Sequence, residues 1–235
     1  TKQVASHWGG TRNGTIVHWP ARIAERGGLR SQFCHVIDIA PTVLEVAGIP
    51  EPTRVNGVEQ SPYEGTSMVY SFDDGKAAER HETQYFEMFC NRGIYHQGWT
   101  AVTRHGTVPW NMLGRQPSLD EDVWELYDTT KDWTQAHDLS KREPKRLLEL
   151  QRLFELEAGK YNVFPLDDRK AERANPDLAG RPSVVHGSTQ VLFPGMRRVQ
   201  ENTVINTKNK SHSVTAELDV PESGAKGVIV AQGGS

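Results

Sequence analysis

The densest set of chemically capable side chains lies at the start of the chain, in Lys2-Gln3-Val4-Ala5-Ser6-His7-Trp8-Gly9-Gly10-Thr11-Arg12-Asn13. A lysine, a histidine, a glycine pair and an arginine fall within one short stretch. Glycine lets backbone N–H groups come close to an anion, and Lys or Arg adds charge-assisted hydrogen bonds. Together these residues could hold an oxyanion. The spacing alone leaves a second reading open, a Gly-Gly turn beside a cation, with His7 as a polar turn residue and Arg12 bracing the turn against an acidic partner.

The other chemically interesting residues read more plainly. His35 precedes a helix start and is expected to pack or cap there. His96, His105 and His137 fall singly in loops, with no ligand spacing between them. Cys34 and Cys90 make no disulfide framework and no metal motif. Both sit in apolar surroundings and are expected to be buried thiols. The pairs Asp73-Asp74 and Asp167-Asp168 read as turn or surface residues. Trp99, Trp110, Trp124 and Trp133 could line a sugar-binding face, but core or edge packing is the more common use of tryptophan.

These residues need elements to position them. Thr15–Trp19 reads as a strand stopped by Pro20. Asp38–Ala47 reads as a helix, with Asp38 as cap, Pro41 in the first turn and Gly48 just past the end. Ile39, Val43 and Val46 fall near one face of it, joined by Leu44 and Ala47. Thr83–Phe89 is expected to be a strand paired with Gly98–Thr103, and Trp124–Tyr127 a third strand ended by Asp128, which suggests an antiparallel sheet. Pro144–Tyr161 is the clearest helix. Leu147, Leu150, Phe154, Ala158 and Tyr161 recur at spacings of three and four, and Leu148, Leu153 and Leu156 widen the stripe. This helix is expected to lie on the sheet. Beyond a polar stretch with Pro and Gly, Val214, Ala216, Leu218 and Val220 alternate with polar residues, and Gly227–Val230 follows a turn at Pro221/Gly224, as at the start of an all-β unit.

Composition limits the class. The chain has 235 residues, with 27 Lys+Arg against 30 Asp+Glu and a net charge of -3. That balance suggests neither nucleic acid nor an anionic membrane as a partner. The local basic run at Arg142, Lys145 and Arg146 sits among acids and reads as a solvated helix face. Mean hydropathy is -0.60, and no run of about 18 apolar residues is present to span a bilayer. The chain opens on Thr1 and meets its motif at once, so it is expected to be the C-terminal part of a longer protein whose leader, if any, lies upstream.

The segment Lys2…Gly9-Gly10-Thr11-Arg12…Val17-His18-Trp19-Pro20 resembles the lysine–GG-x-R–strand–WP block of the sulfatase family. His35-Val36-Ile37-Asp38 through Gly48-Ile49 is similar to that family's D-x-x-P-T-x-L-x-x-x-G helix, and Trp124-Glu125-Leu126-Tyr127-Asp128 to its E-L-Y-D strand, with Asp138-Leu139 ahead of the long helix. The resemblance covers residues 1 to 165 or so, and the part after residue 180 resembles an extension of one arylsulfatase-like subgroup.

The resemblance implies an α/β, alkaline-phosphatase-like fold. Residues 1–54 would close the catalytic domain, 55–166 would form an α+β subdomain, 167–182 a linker, and 183–235 the start of a truncated β-rich extension. It implies hydrolysis of aryl or carbohydrate sulfate esters by a formylglycine nucleophile, with a divalent cation, usually calcium, held by acidic and amide side chains. Neither the C/S-x-P-x-R nucleophile motif nor the metal-ligand blocks occur in these residues, so the chain alone is expected to be inactive. Lys2 matches the family lysine that contacts the sulfate and would counter charge on the leaving oxygen. His7 is the neighbouring alternative, as a donor to a sulfate oxygen or as an acid. A phosphodiesterase or phosphonate hydrolase of the same superfamily, or a non-catalytic carbohydrate-binding or structural module, are the alternatives. Compartment and oligomeric state are left open.

Overall fold

A computed structural model describes residues 6–106, 117–169, 172, 178, 180, 185, 187–197, 199 and 203–231. The chain divides into two compact units, Thr1–Glu172 and Arg173–Ser235.

In the first unit an antiparallel four-stranded sheet carries the architecture. Its strands, in spatial as well as chain order, are β3 (Thr83–Met88), β4 (Asn91–His96), β5 (Trp99–Thr103) and β6 (Trp124–Asp128). A separate small hairpin, β1 (Arg54–Val55) and β2 (Val58–Glu59), precedes it. The expected pairing of Thr83–Phe89 with Gly98–Thr103 is corrected, because β4 lies between them. The connection that makes room for β4 is a two-residue turn at Phe89 and Cys90, both at positive φ (49° and 63°). That turn shape normally selects Asn or Gly. Nothing in the Phe-Cys pair announces it, so it is read as strand and core. The β4–β5 and β1–β2 turns do carry glycine, at Gln97-Gly98 and Asn56-Gly57.

Register puts Tyr85, Ile94, Ala101 and Leu126 in one row across the sheet. Helix α3 (Pro144–Lys160) lies over that row, with Pro144 in its first turn. Leu150, Phe154 and Ala158 are buried against Ile94, Ala101 and Leu126, with Leu147, Leu153, Trp99 and Trp124 around them. The Trp124 and Phe154 rings meet edge to face, 5.8 Å apart. Leu148 and Leu156 do not extend this buried stripe and stay exposed. One sheet face accepts only the helix stripe about 100° wide that points at it.

Helix α2 (Ile39–Ala47) follows a single 3₁₀ turn at Val36–Asp38. It ends as expected. Gly48 is left-handed, its N–H donates to Glu45 O at 3.1 Å, and the Ile49 N–H donates to Leu44 O at 2.9 Å. That pair of bonds satisfies the last carbonyls of the helix. Its start is different from expectation, because the Asp38 carboxylate makes no cap bond to α2 and is drawn off by stronger partners described below.

Thr15–Trp19 is not a strand. It has no ladder partner among the described residues, and Ile16 is almost fully exposed. Strand propensity is not a strand without a neighbour to receive its N–H and C=O groups. Cys34 is exposed, contrary to expectation, whereas Cys90 is buried.

In the second unit the alternating segments 214–220 and 227–230 have no strand partner among the described residues, and Val214, Leu218, Val220, Val228 and Ile229 are exposed. Gln190 donates to Thr203 O at 3.1 Å and accepts from the Ile205 N–H at 2.8 Å. The expected turn at Pro221 is present, with the Gly224 N–H donating to Pro221 O.

Candidate functional site

Because side chains alternate along a strand, the residues between those of the core row point to the opposite face of the sheet. Gly93, Val102 and Glu125 form one such row, and Tyr95, Thr100 and Tyr127 the next. The segment Ser6–Arg12 lies on this second face. Glycine at 93 admits it, since a Cβ there would stand 3.2 Å from Ser6 O.

The segment is held from several sides. The Ser6 hydroxyl donates to Thr103 O at 2.8 Å. His7 is 1% exposed. Its Nε2 lies 3.0 Å from Glu125 Oε2, and its Nδ1 lies 3.2 Å from Ser6 Oγ. The Tyr127 hydroxyl donates to the same Glu125 oxygen. Burial, then that carboxylate, pushes the Tyr127 phenol well above its ordinary range, so it remains a donor. Gln135 links two elements, accepting from the Trp8 N–H at 2.8 Å and donating to Thr100 Oγ1 at 2.9 Å.

The expected Gly-Gly turn is instead a single helical turn, α1 (Trp8–Thr11), in which the N–H groups of Gly10 and Thr11 both donate to His7 O. Arg12 has an aromatic setting rather than the expected acidic partner. Its guanidinium lies 4.3 Å from the Trp8 ring and 3.7 Å from the Trp133 ring and donates to Trp133 O. Cation–π contacts of this kind at exposed sites contribute about 0.5–1 kcal/mol.

Of the two residues singled out in the sequence, Lys2 lies outside the described residues. His7 is placed in full, and both its ring nitrogens are engaged inside the protein. Its partners Glu125 and Tyr127 were visible only as part of an E-L-Y-D strand. The signal that could have found them is the alternation of that strand, which puts these two residues on one face and Leu126 on the other.

A second buried cluster fixes α2 to the start of β3. Asp38 accepts from the N–H groups of His35 and Thr66, both at 2.7 Å, and both its oxygens lie 2.8 Å from His81 Nδ1. Gly65 is required here, because a Cβ would fall 2.1 Å from Ile37 O. Burial alone would raise the Asp38 carboxyl, but the bonds from His81, His35 and Thr66 outweigh it and hold it below its usual range. His81 is raised, because its bonds to Asp38 outweigh the burial that would lower it. His35 is lowered, first by burial and then by the neighbouring His81. His35 thus packs as expected, on Phe86 and His81.

His105 is not a loop histidine in open solvent but a buried one bonded to Asp122. Trp99 and Trp124 pack against the core, Trp133 carries Arg12, and Trp110 lies outside the described residues. Among the described residues no group of three or more His, Cys, Asp or Glu side chains could hold a metal ion. None of their helices is long and apolar enough to cross a membrane.

Three kinds of relative match the chain. A family model described as N-sulphoglucosamine sulphohydrolase, C-terminal, matches residues 9–158. A Schizosaccharomyces pombe protein named as an uncharacterised sulfatase is 28% identical over 157 residues, which make up 64% of this chain and 26% of that protein. An N-acetylglucosamine-6-O-sulfatase of Bacteroides thetaiotaomicron is 26% identical over 192 residues, 80% of this chain and 28% of that protein. Among solved structures, that of Ps i-CgsB overlays with a TM-score of 0.46 at 21% identity, covering 70% of this chain and 33% of that one.

Proposed function

The chain belongs to the sulfatase family, by its match to the N-sulphoglucosamine sulphohydrolase C-terminal region, and on that footing we propose that it serves in the hydrolysis of sulfate esters to an alcohol and inorganic sulfate. The chain spans 26% and 28% of the length of the two curated relatives. The nucleophile, a formylglycine, and the divalent cation, calcium, would be supplied by residues outside this chain, as would the ligands of that cation. A carbohydrate sulfate is the favoured substrate class over a simple aryl sulfate, since one relative bears the name of an N-acetylglucosamine-6-O-sulfatase.

The observation that carries this reading is the family match over residues 9–158, whose first residues belong to the Ser6–Arg12 segment locked to the sheet. Lys2 lies four residues before Ser6. In this proposal Lys2 counters the negative charge that builds on the leaving oxygen as the S–O bond breaks. His7 does not meet the substrate. It is a positioning residue that ties Ser6–Arg12 through Glu125 to β6. Misplacement of a charged group by about 1 Å is enough to cost on the order of 100-fold in rate.

The test begins with the coding sequence upstream of Thr1. A C/S-x-P-x-R motif there, in frame, is expected. The protein containing it should release inorganic sulfate from 4-nitrophenyl sulfate or N-acetylglucosamine 6-sulfate and lose that activity to a chelator. Lys2→Ala should lower kcat/KM by about 100-fold or more, and the 235-residue chain alone should turn over neither ester. Turnover of phosphate diesters without sulfate release would move the protein to the phosphodiesterases of the same superfamily.

A further inference from the structure

One pair of side chains beside the held segment takes no part in that reading. The Arg12 guanidinium stands over two indole rings, 3.7 Å from the centre of Trp133 and 4.3 Å from that of Trp8. Its Nη1 donates to Trp133 O at 3.0 Å. Among the described residues no carboxylate pairs with it, whereas Arg30, Arg92 and Arg169 each have one. The Asp132 carboxylate, next in sequence to Trp133, is turned into its own loop. There it accepts from the Thr134 hydroxyl and the His137 N–H.

The pair is held in place. The Arg12 N–H donates to Trp8 O at 3.1 Å. Gln135, two residues after Trp133, accepts from the Trp8 N–H and donates to Thr100 on β5, so both ring-bearing stretches are pinned to the sheet. Trp133 is nevertheless 63% exposed, while Trp99 and Trp124 pack against the core. Tryptophan is buried for the most part in folded proteins. Keeping an indole in water forgoes the gain that burial would bring.

Two complementary surfaces result. A guanidinium whose face lies on aromatic rings still offers the N–H groups along its edge. That planar edge donates in parallel pairs, which fits two oxygens of one sulfate or carboxylate. One Arg12 N–H is taken by Trp133 O, and the others have no partner among the described residues. Beside it the exposed part of the indole is flat and apolar, and the C–H face of a pyranose ring can lie flat on such a surface. We propose that Arg12 and Trp133 form a subsite for a sulfated sugar unit, the indole taking the sugar ring and the guanidinium its sulfate. The choice of a sulfated sugar among anionic ligands rests on the carbohydrate-sulfate reading above.

The experiment follows the indole and arginine side-chain N–H signals of the full chain by NMR while a tetrasaccharide of N-acetylglucosamine 6-sulfate is added. The Trp133 and Arg12 signals should shift together and saturate, and the core Trp124 indole should stay where it is. The unsulfated tetrasaccharide should bind about tenfold more weakly or worse, and inorganic sulfate should also bind more weakly than the sulfated sugar. Trp133→Ala should lower affinity by about tenfold. Arg12→Ala should do the same, and Arg12→Lys, which keeps the charge but loses the planar fork, should lower it by about threefold or more. The Trp124 indole signal checks that each variant keeps its fold. Where one does not, the shifts in the wild-type chain decide. The subsite is overturned if Arg12 and Trp133 stay silent, if folded variants bind as the wild type does, or if the unsulfated sugar or the bare ion binds as tightly. Sulfate release is measured separately on the protein that includes the upstream residues. Release with silent Arg12 and Trp133 removes the subsite and leaves the activity, and binding without release keeps the subsite and removes the activity.

Discussion

Helices α2 and α3 present the same kind of pattern and meet opposite fates. On α3, Leu150, Phe154 and Ala158 recur along one stripe and are buried under the sheet. On α2, Ile39, Val43 and Val46 recur in the same way, yet they are 47%, 58% and 38% exposed. Val36 and Ile49, just outside α2, are exposed too. What holds α2 in place is polar: Asp38 bound to His81, His35 and Thr66, and the Thr42 hydroxyl, which donates to Asp38 O and accepts from the Met68 N–H. An apolar stripe therefore states which face of a helix would gain from cover. Whether cover is present depends on what the rest of the chain brings to it.

Substitutions can break or sharpen this contrast. The largest effect should come from Phe154→Ala, which removes a 2% exposed ring from the α3–sheet core. It should cost about 3–5 kcal/mol in chemical denaturation, and Leu150→Ala about 2–5 kcal/mol. A cost for Phe154→Ala below about 1 kcal/mol would mean that α3 does not sit on this sheet in solution.

Next in size is Glu125→Ala. It leaves His7 Nε2 and the Tyr127 hydroxyl buried without their acceptor, a loss of about 1–3 kcal/mol. Glu125→Gln, which keeps an acceptor oxygen, should cost less. Equal losses for the two variants would show that the carboxylate's charge, rather than its role as acceptor, holds Ser6–Arg12 down.

The polar anchor of α2 should show itself in the pH dependence of stability. His81 is raised, so its contribution is complete below the ordinary imidazole value of about 6.5 and is lost as pH rises through its folded value. Asp38 is depressed, so its contribution is present above about 3.9 and is lost as pH falls through its folded value. The pair therefore stabilises most between about pH 4 and 6.5. His35, which is lowered, works against it on the acid side of that window. The difference in Tm between the wild-type chain and Asp38→Asn should peak near pH 5 or so and shrink on both sides. A difference that is flat with pH would mean that the His81–Asp38 contact is a neutral hydrogen bond.

The smallest effect should be that of Val43→Ala, on the uncovered stripe of α2, at less than about 0.5 kcal/mol. A loss near that of Leu150→Ala would be the most instructive failure, since it would mean that something covers α2 in solution.

Much of the first unit was legible because its signals are local. The Gly48 terminus of α2, Pro144 at the start of α3, the stripe of α3 and the Trp124–Asp128 strand each depend on residues within a few positions of one another. The strand read at Thr15–Trp19 had equally good local signals and failed, because pairing requires a partner. The alternation at 214–220 likewise meets no partner strand among the described residues. Strand β4 was missed for a different one, since Phe89 and Cys90 adopt a turn that their side chains disfavour.

The sequence by itself determined the family, helices α2 and α3 with the Gly48 end of the one and the Pro144 start of the other, and a short list of chemically capable residues. Capping, helical periodicity and motif order are all written along the chain. The tertiary structure alone decided which stripe is covered, where β4 inserts, and what His7 does. His7 and Glu125 are 118 residues apart in the chain and 3.0 Å apart in space. Such a contact follows from sheet register and from the close approach that Gly93 allows, and neither is encoded near either residue.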